Sequence, residues 1–362
     1  MERKDPIRVG IRGAAGLLGS RLAAAIHCAH DMSLEAGVVL PDRTLEATLN
    51  RCRMLKGYTH NFPKRMFVQS GNHGERESEV VRRLNAEHAL IQFEGASQLN
   101  WRALTDVIVD TAYPAGKETF ADQYRTFPGT ILLQDGASPE GRLVVPPLVA
   151  REEGARINVY RIGDCILSGI VPILYPFREL AFRVRVHMLT QFDGREADYL
   201  ITERAHAFYV RNDIREKVER ELSVLFPDQE VAVQAVVQIP SILHYQATLE
   251  LELREPIAHD ALRQLFQEMP RVLLVPASVS STYDINLARS FSDAIPPIMV
   301  FEHALHPQTG ARSNLVRIVA AIYYRTAAVL PNVDAIRMLT RGTDPLEAMR
   351  QTDRDMGFAP ME

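Results

Sequence analysis

The sequence predicts an α/β protein: an N-terminal doubly wound parallel sheet, then an α+β domain with a mainly antiparallel sheet. Two patterns carry this expectation. Short apolar strands alternate with helical stretches in the first part of the chain, and the middle switches to apolar–polar alternation with a period of two. The length, 362 residues, holds two domains of ordinary size or one large one.

In order, Ile7 to Ile11 reads as a strand broken by Gly13, and Leu17 to Cys28 as the helix that follows. Leu34 to Leu40, Val107 to Asp110 and Thr130 to Gln134 are further strands, separated by polar helical segments. In the middle, Val184 to Thr190, Glu230 to Gln238 and Leu243 to Leu253 alternate. Leu249, Leu251 and Leu253 share one strand face, while Thr248, Glu250 and Glu252 share the other. Pro256 to Glu268 reads as a helix, and Arg271 to Val275 and Ile298 to Phe301 as strands. No repeat or low-complexity segment interrupts the chain.

Composition sets the class. Hydrophobic residues make up 46% and charged residues 24%, ordinary for a folded globular chain. Forty-one Lys and Arg against 45 Asp and Glu leave a formal charge of -4, so no attraction to nucleic acid or an anionic membrane is expected. The apolar run Val316 to Ile322, interrupted by Arg317, falls well short of the ~20 residues a bilayer crossing needs. The N-terminus leads straight into a strand, so no signal peptide is expected. Three cysteines, Cys28, Cys52 and Cys165, make no disulfide framework and suit a reducing cytoplasm.

The sharpest local signal is Val9-Gly10-Ile11-Arg12-Gly13-Ala14-Ala15-Gly16-Leu17-Leu18-Gly19. A strand enters a turn whose glycines let backbone approach a pyrophosphate, and a helix N-terminus then offers N–H groups and the positive end of its dipole. A glycine turn that merely permits close helix–sheet packing is the competing reading; strand before and helix after favour the cofactor. Selectivity is expected after the second strand, at Leu40-Pro41-Asp42-Arg43-Thr44. An acidic side chain there would bind ribose hydroxyls, whereas Arg43 or Thr44 would receive a 2′-phosphate; both types are present, and NADP is favoured slightly over NAD.

The second signal is Cys165, in Tyr160-Arg161-Ile162-Gly163-Asp164-Cys165-Ile166-Leu167-Ser168-Gly169, where a strand ends in the cysteine and a helical run, Ile170 to Leu180, follows. A thiol at a helix N-terminus is shifted toward the nucleophilic thiolate by the dipole, whereas the commoner fate of a lone cysteine is that of a small buried apolar residue. Cys28 lies on the apolar helix of the nucleotide domain and Cys52 on a charged stretch.

These segments, taken with Leu55-Lys56-Gly57-Tyr58, Gly116-Lys117, Gln134-Asp135-Gly136, Ile239-Pro240-Ser241, Ser280-Ser281-Thr282 and the tail Val329 to Arg337, give the chain its likeness. It resembles the archaeal-type glyceraldehyde-3-phosphate dehydrogenases, and more loosely aspartate-semialdehyde dehydrogenase. The resemblance implies a dinucleotide-binding Rossmann domain over residues 1–164, an α+β catalytic and oligomerisation domain over 165–325, and a C-terminal helical segment, 326–362, returning to the first domain. It implies a homotetramer, or a homodimer. The cofactor site would comprise Gly13, Ala14, Ala15, Gly16, Leu17, Leu18, Arg43, Thr111 and Gly136. Cys165 matches the family's nucleophile: its thiolate attacks an aldehyde, a hydride passes from the resulting adduct's carbon to the nicotinamide, and the thioester left on sulfur is cleaved by phosphate.

Departures from the pattern bear on substrate. The family follows its cysteine with Asn-Thr-Thr-Gly, but here Ile166-Leu167-Ser168-Gly169 stands, leaving Ser168 and backbone N–H groups to bind substrate or an oxyanion. The family's paired arginines correspond to Leu189 and Thr190, and its Ser-His-His-Gly loop has no counterpart in Ala205 to Asp213. The expected substrate is therefore a small aldehyde or acyl compound less anionic than a phosphorylated triose. Arg325, in Tyr324-Arg325 where the family has His-Gln, could supply a cation from a new direction.

Two histidines compete as general base. His244 lies near the family's position, but an ungapped comparison places the family histidine at least one residue later, and one residue along a strand changes face. His187 stands in a context like that of the bacterial-type enzymes. His303 with His306, and His27 with His30, lack partners at metal-site spacing, so no metal is expected. The sequence thus predicts an NAD(P)-dependent oxidoreductase working through a Cys165 thioacyl group, with a catalytically inactive nucleotide-binding relative as the alternative.

Overall fold

A computed structural model of the 362-residue chain describes residues 5–40, 45, 63–69, 76–87, 91–112, 124–134, 141–150, 158–191, 208–239, 244–279, 281–282, 297–307 and 312–358. It divides into two compact units. The first takes Met1–Val144, Glu153–Gly163 and Val329–Asp344; the second takes Val145–Glu152, Asp164–Ala328 and Pro345–Glu362. The tail 326–362, expected as one segment, is thus shared between the units.

The first unit is built on a parallel sheet. Its strands are β1 (Ile7–Arg12), β2 (Met32–Val39), β3 (Arg65–Val68), β4 (Phe93–Gly95), β5 (Val107–Asp110), β6 (Thr130–Gln134) and β7 (Arg142–Val145), with β9 (Val159–Ile162). The short β8 (Leu148–Val149) falls in the second unit. The spatial order β4-β3-β2-β1-β5-β6-β9-β7 reverses at β1, which pairs in parallel with β2 on one side and β5 on the other. Strands covered on both faces should be continuously apolar. They are: Val9, Ile11, Val107, Ile108, Val109, Ile131 and Leu132 are fully buried. Helices α1 (Leu17–Cys28), α2 (Glu77–Glu87) and α3 (Trp101–Leu104) lie along the same chain segment. This is the doubly wound Rossmann architecture that the strand–helix alternation predicts.

The second unit contains a mixed sheet. Its strands are β10 (Ala181–Gln191), β11 (Tyr209–Val210), β12 (Glu230–Ile239), β13 (His244–Ala258), β14 (Val272–Val275), β15 (Ile298–Phe301), β16 (His306–Pro307) and β17 (Arg312–Tyr323). They run in the order β11-β12-β10-β13-β17-β15-β14, with β16 on β17. The long central pairs, β10 with β13 and β13 with β17, are antiparallel, whereas β10 with β12 and β14 with β15 are parallel. Helices α4 (Cys165–Leu174), α5 (Asn212–Leu225) and α6 (His259–Glu268) follow β9, β11 and β13. Helix α7 (Tyr324–Arg341) leads into the first unit, and α8 (Pro345–Asp355) belongs to the second.

The helix expected from Pro256 starts three residues later, at His259. Pro256 instead lies in β13, where pairing with β17 is irregular between Glu252 and Ile257. Proline, which cannot donate to the ladder, is tolerated at such an interruption. The helix expected from Ile170 begins at Cys165.

Buried ion pairs secure the tail within each unit. In the first, Arg337 of α7 is fully buried and donates to Asp31 at 2.6 and 3.1 Å. Asn332, also fully buried, donates to Gln134 at 2.7 Å. In the second, Arg271, at a left-handed φ of 70°, donates to Asp353 of α8 at 2.9 and 3.0 Å.

Candidate active site

The glycine loop sits at the carboxyl ends of β1, β2 and β5, where the strand order reverses and such sheets form a crevice. Gly13 adopts φ 84°, a conformation L side chains rarely take. Its N–H and that of Ala14 donate to Val38 O at 2.9 and 3.1 Å, and its carbonyl accepts from Gly16 N at 2.9 Å. Thr111 closes the loop from β5 by donating its hydroxyl to Arg12 O at 2.8 Å. Together Gly13, Ala15, Gly16, Thr111 and Gln69 line a cavity of about 220 Å³.

Helix α1 enters this cavity with no side chain capping its N-terminus: Gly16 occupies the cap position, and no acid lies in the first turn. An uncapped helix start beneath a glycine turn fits the phosphates of a dinucleotide. Ala14 is buried beside Gly13, and Leu18 lies in the first turn of α1; Leu17 begins the helix, its side chain not being described. Arg43 and Gly136, the remaining expected cofactor residues, lie outside the described residues. Under the loop, Arg12 donates to both oxygens of Asp110 at 2.8 and 3.0 Å, and Asp110 also accepts from the Tyr124 hydroxyl at 2.8 Å. Burial, then the Asp110 charge, pushes the Tyr124 phenol well above its ordinary range.

Cys165 opens α4, a helix otherwise buried from Ile166 to Leu174, and is itself half-buried. The residue before it changes the expected electrostatics. Asp164 caps the helix, one carboxylate oxygen accepting from Ile166 N and Leu167 N, both at 3.0 Å. Ser168 N is bound to Asp164 O at 2.9 Å. The first-turn N–H groups expected to steady an oxyanion are therefore engaged, and a carboxylate offsets the dipole beside the thiol. Lys217 of α5 balances that carboxylate at 3.1 Å.

The sulfur meets Tyr245, a residue for which the sequence carries no local signal. Cys165 Sγ lies 3.2 Å from the Tyr245 hydroxyl. Strand geometry explains why it is not His244. Tyr245 pairs with Ile322 and Ala247 with Met188, all on one face of the sheet. Helix α4 packs on that face: a Cβ on Gly169 would fall 2.5 Å from Ile322. His244 pairs with Tyr323 and His187 with Thr248, on the opposite face. His187 is exposed; His244 lines a cavity of about 440 Å³ with Gln246, Ser281 and His303. Burial holds the His244 imidazole below its ordinary value. Both histidines thus lie on the sheet face away from the sulfur, and for His244 the one-residue offset noted in the sequence is the reason.

Two other expected residues are close by. Tyr324, at the start of α7, stacks on Tyr245 with ring centroids 5.7 Å apart, and Arg325 donates to the Tyr324 hydroxyl at 3.1 Å. Arg325 thus joins the cysteine through two tyrosines. Ser168, one helical turn beyond Cys165, is buried. On the Tyr245 face of β10, Thr190 is 3% exposed, and its hydroxyl has no hydrogen-bond partner among the described residues. Among the described residues no cluster of three or more His, Cys, Asp or Glu side chains could hold a metal, and no helix is long and apolar enough to cross a membrane.

No family model matches the chain. Among curated proteins it is similar to the glyceraldehyde-3-phosphate dehydrogenase of Sulfurisphaera tokodaii, 22% identical with 98% of each chain covered. That of Hyperthermus butylicus is 24% identical with 97% of each covered. Its fold is that of aspartate semialdehyde dehydrogenase II of Vibrio cholerae, solved with ASA (TM-score 0.59, 12% identity, covering 93% of this chain and 99% of that one). It is also that of the Candida albicans aspartate semialdehyde dehydrogenase solved with NADP (TM-score 0.58, 10% identity, covering 98% and 100%). The likeness to archaeal glyceraldehyde-3-phosphate dehydrogenases runs end to end at low identity, the relation of a divergent relative.

Proposed function

We propose that the protein is an NAD(P)-dependent oxidoreductase that interconverts an aldehyde and an activated acyl group through a thioacyl intermediate on Cys165. The observation that carries this reading is the half-buried Cys165 thiol at the start of α4, 3.2 Å from a phenolic hydroxyl. End-to-end similarity to dehydrogenases of aldehyde substrates supports it, as does the uncapped start of α1 at the glycine loop.

Each unit contributes a part. In the first, Gly13, Ala14, Ala15 and Gly16 would hold the pyrophosphate against the α1 N-terminus, with Thr111 fixing the loop from β5. The bound nicotinamide supplies the hydride acceptor or donor. In the second, Cys165 adds to the substrate carbon and holds the acyl group as a thioester. The positions expected to bind a substrate phosphate are Leu189 and Thr190, neither of which carries charge. The substrate is accordingly an aldehyde or acyl compound other than glyceraldehyde 3-phosphate, with Ser168 and Arg325 among its contacts.

Two measurements test the reading. Iodoacetamide at neutral pH should modify Cys165 well before Cys28 and Cys52; equal rates would refute an activated nucleophile. NADP or NAD at one hundred times its dissociation constant should stabilise the first unit by about 2.7 kcal/mol. No change in melting temperature with either nucleotide would reject the loop assignment.

A further inference from the structure

We infer that Tyr245, rather than His187 or His244, is the acid–base residue of this site, relaying a proton between the Cys165 thiol and the carbonyl oxygen of the aldehyde. The inference rests on the reading of Cys165 as nucleophile and deepens it.

Three observations carry it. The Tyr245 hydroxyl is a polar group placed at the sulfur, at 3.2 Å, while the two histidines occupy the other face of the sheet. The backbone donors that would otherwise serve an oxyanion, at Ile166, Leu167 and Ser168, are engaged by Asp164. On the same face as Tyr245, Thr190 places a hydroxyl without a partner among the described residues, in a residue 97% buried (3% exposed). A buried hydroxyl left unpaired is costly, and a polar group of a bound substrate would satisfy it. Tyr245 is also fixed in place, buried among Ala247 and Ile322 with its ring stacked on Tyr324, whose hydroxyl accepts from Arg325.

The proton balance closes without an oxidant. As the sulfur–carbon bond forms, the carbonyl π pair moves to oxygen. The phenolic proton of Tyr245 passes to that oxygen, and the thiol proton of Cys165 passes to the phenol oxygen. The phenol ends as it began, and the product is a neutral hemithioacetal. The reverse path expels the thiol. Among the described residues, charged groups around the pair include Asp164, its carboxylate bonded to Lys217, and Arg325, which reaches Tyr245 through Tyr324.

The test measures the pH profile of iodoacetamide modification of Cys165 in the full chain, with no nucleotide present. A phenol donating to the thiolate favours ionisation, so Tyr245→Phe should raise the apparent thiol pKa by roughly one to two units. Tyr245→His restores a proton donor and should bring the profile back toward neutral pH, with a new inflection near the usual histidine range. Tyr323→Phe, on the other face, should leave the profile unchanged. A folded Tyr245→Phe protein whose profile coincides with the unsubstituted one overturns the inference while leaving the nucleophile intact. Should Tyr245→Phe fail to fold, a folded Tyr245→His protein lacking the inflection overturns it equally. A Cys165 inert at every pH in the unsubstituted chain overturns both readings.

Discussion

Replacing Gly19 by alanine sets two physical effects against each other, and the structure decides the sign. Gly19 lies in the first turn of α1. By helix propensity alone, alanine there should stabilise by about 1 kcal/mol. The added Cβ, however, would stand 2.1 Å from Gly13 O, 2.8 Å from Gly13 C and 3.0 Å from Ala14 Cα, all backbone atoms. Ordinary contacts need about 3.5 Å, so the loop must retreat by more than about 1 Å. Gly13 cannot yield cheaply, because its N–H is bound to Val38 O and its carbonyl to Gly16 N. Overpacking costs about 1–3 kcal/mol, and a lost hydrogen bond adds about 1 kcal/mol. The net expectation is a first unit weakened by about 1–3 kcal/mol. The single tryptophan, Trp101, is buried in that unit and reports its urea unfolding directly. The nucleotide-induced shift in melting temperature should fall with it. A Gly19→Ala protein whose Trp101 midpoint moves to higher urea at unchanged slope would refute the close-approach argument.

Further predictions concern the buried pairs. Asp31→Asn leaves Arg337, its side chain 1% exposed, without its carboxylate, and should cost the first unit about 3–5 kcal/mol by Trp101 fluorescence. Burial pushes the Asp31 carboxyl up, but hydrogen bonds and charge from Arg337 outweigh it, and the net lies below the ordinary 3.8. A depressed carboxyl contributes stability above its unfolded value that is lost as pH falls through the folded one. The unit should therefore weaken below about pH 4, and Asp31→Asn should flatten that acid limb; an unchanged limb would contradict the assignment. Asp353→Asn should loosen α8 in the second unit by a similar about 3–5 kcal/mol, seen as faster amide exchange in Pro345–Asp355; exchange at the unsubstituted rate would count against it.

Sequence pattern defines the elements wherever local signal is strong. Val107–Asp110, Thr130–Gln134 and Leu17–Cys28 have the predicted bounds, because apolar runs flanked by polar or glycine residues leave little choice of end. Strands β3 and β4, four and three residues long, are too short for any periodicity to show. Strand β17 hides because Val316, Ile318, Ala320 and Ile322 alternate with Arg317, Val319 and Ala321, so apolar residues occupy much of both faces and the run reads as continuous. The site is legible in part. Cys165 is found from its position between a strand and a helix, and the offset at His244 signals a change of face. What meets the sulfur from that face depends on β13 docking beneath α4, a long-range register that local sequence does not encode.

The two helix starts show how one device serves opposite ends. At α1 the cap position is glycine, which lines the cavity, no side chain caps the helix, and its first turn carries no acid. That suits a ligand bearing its own negative charge. At α4 the cap is Asp164, which takes two backbone donors and places a carboxylate next to the thiol. The carboxylate so placed opposes the helix dipole beside the thiol, and Lys217 pairs with it at 3.1 Å. On the proposed reading of Cys165 as nucleophile, the Tyr245 hydroxyl 3.2 Å away would support its ionisation from across the sheet rather than from its own helix. Removing the carboxylate separates the two contributions: Asp164→Asn should make Cys165 alkylate faster at neutral pH, whereas a thiol governed by its helix cap alone would show no further dependence on Tyr245.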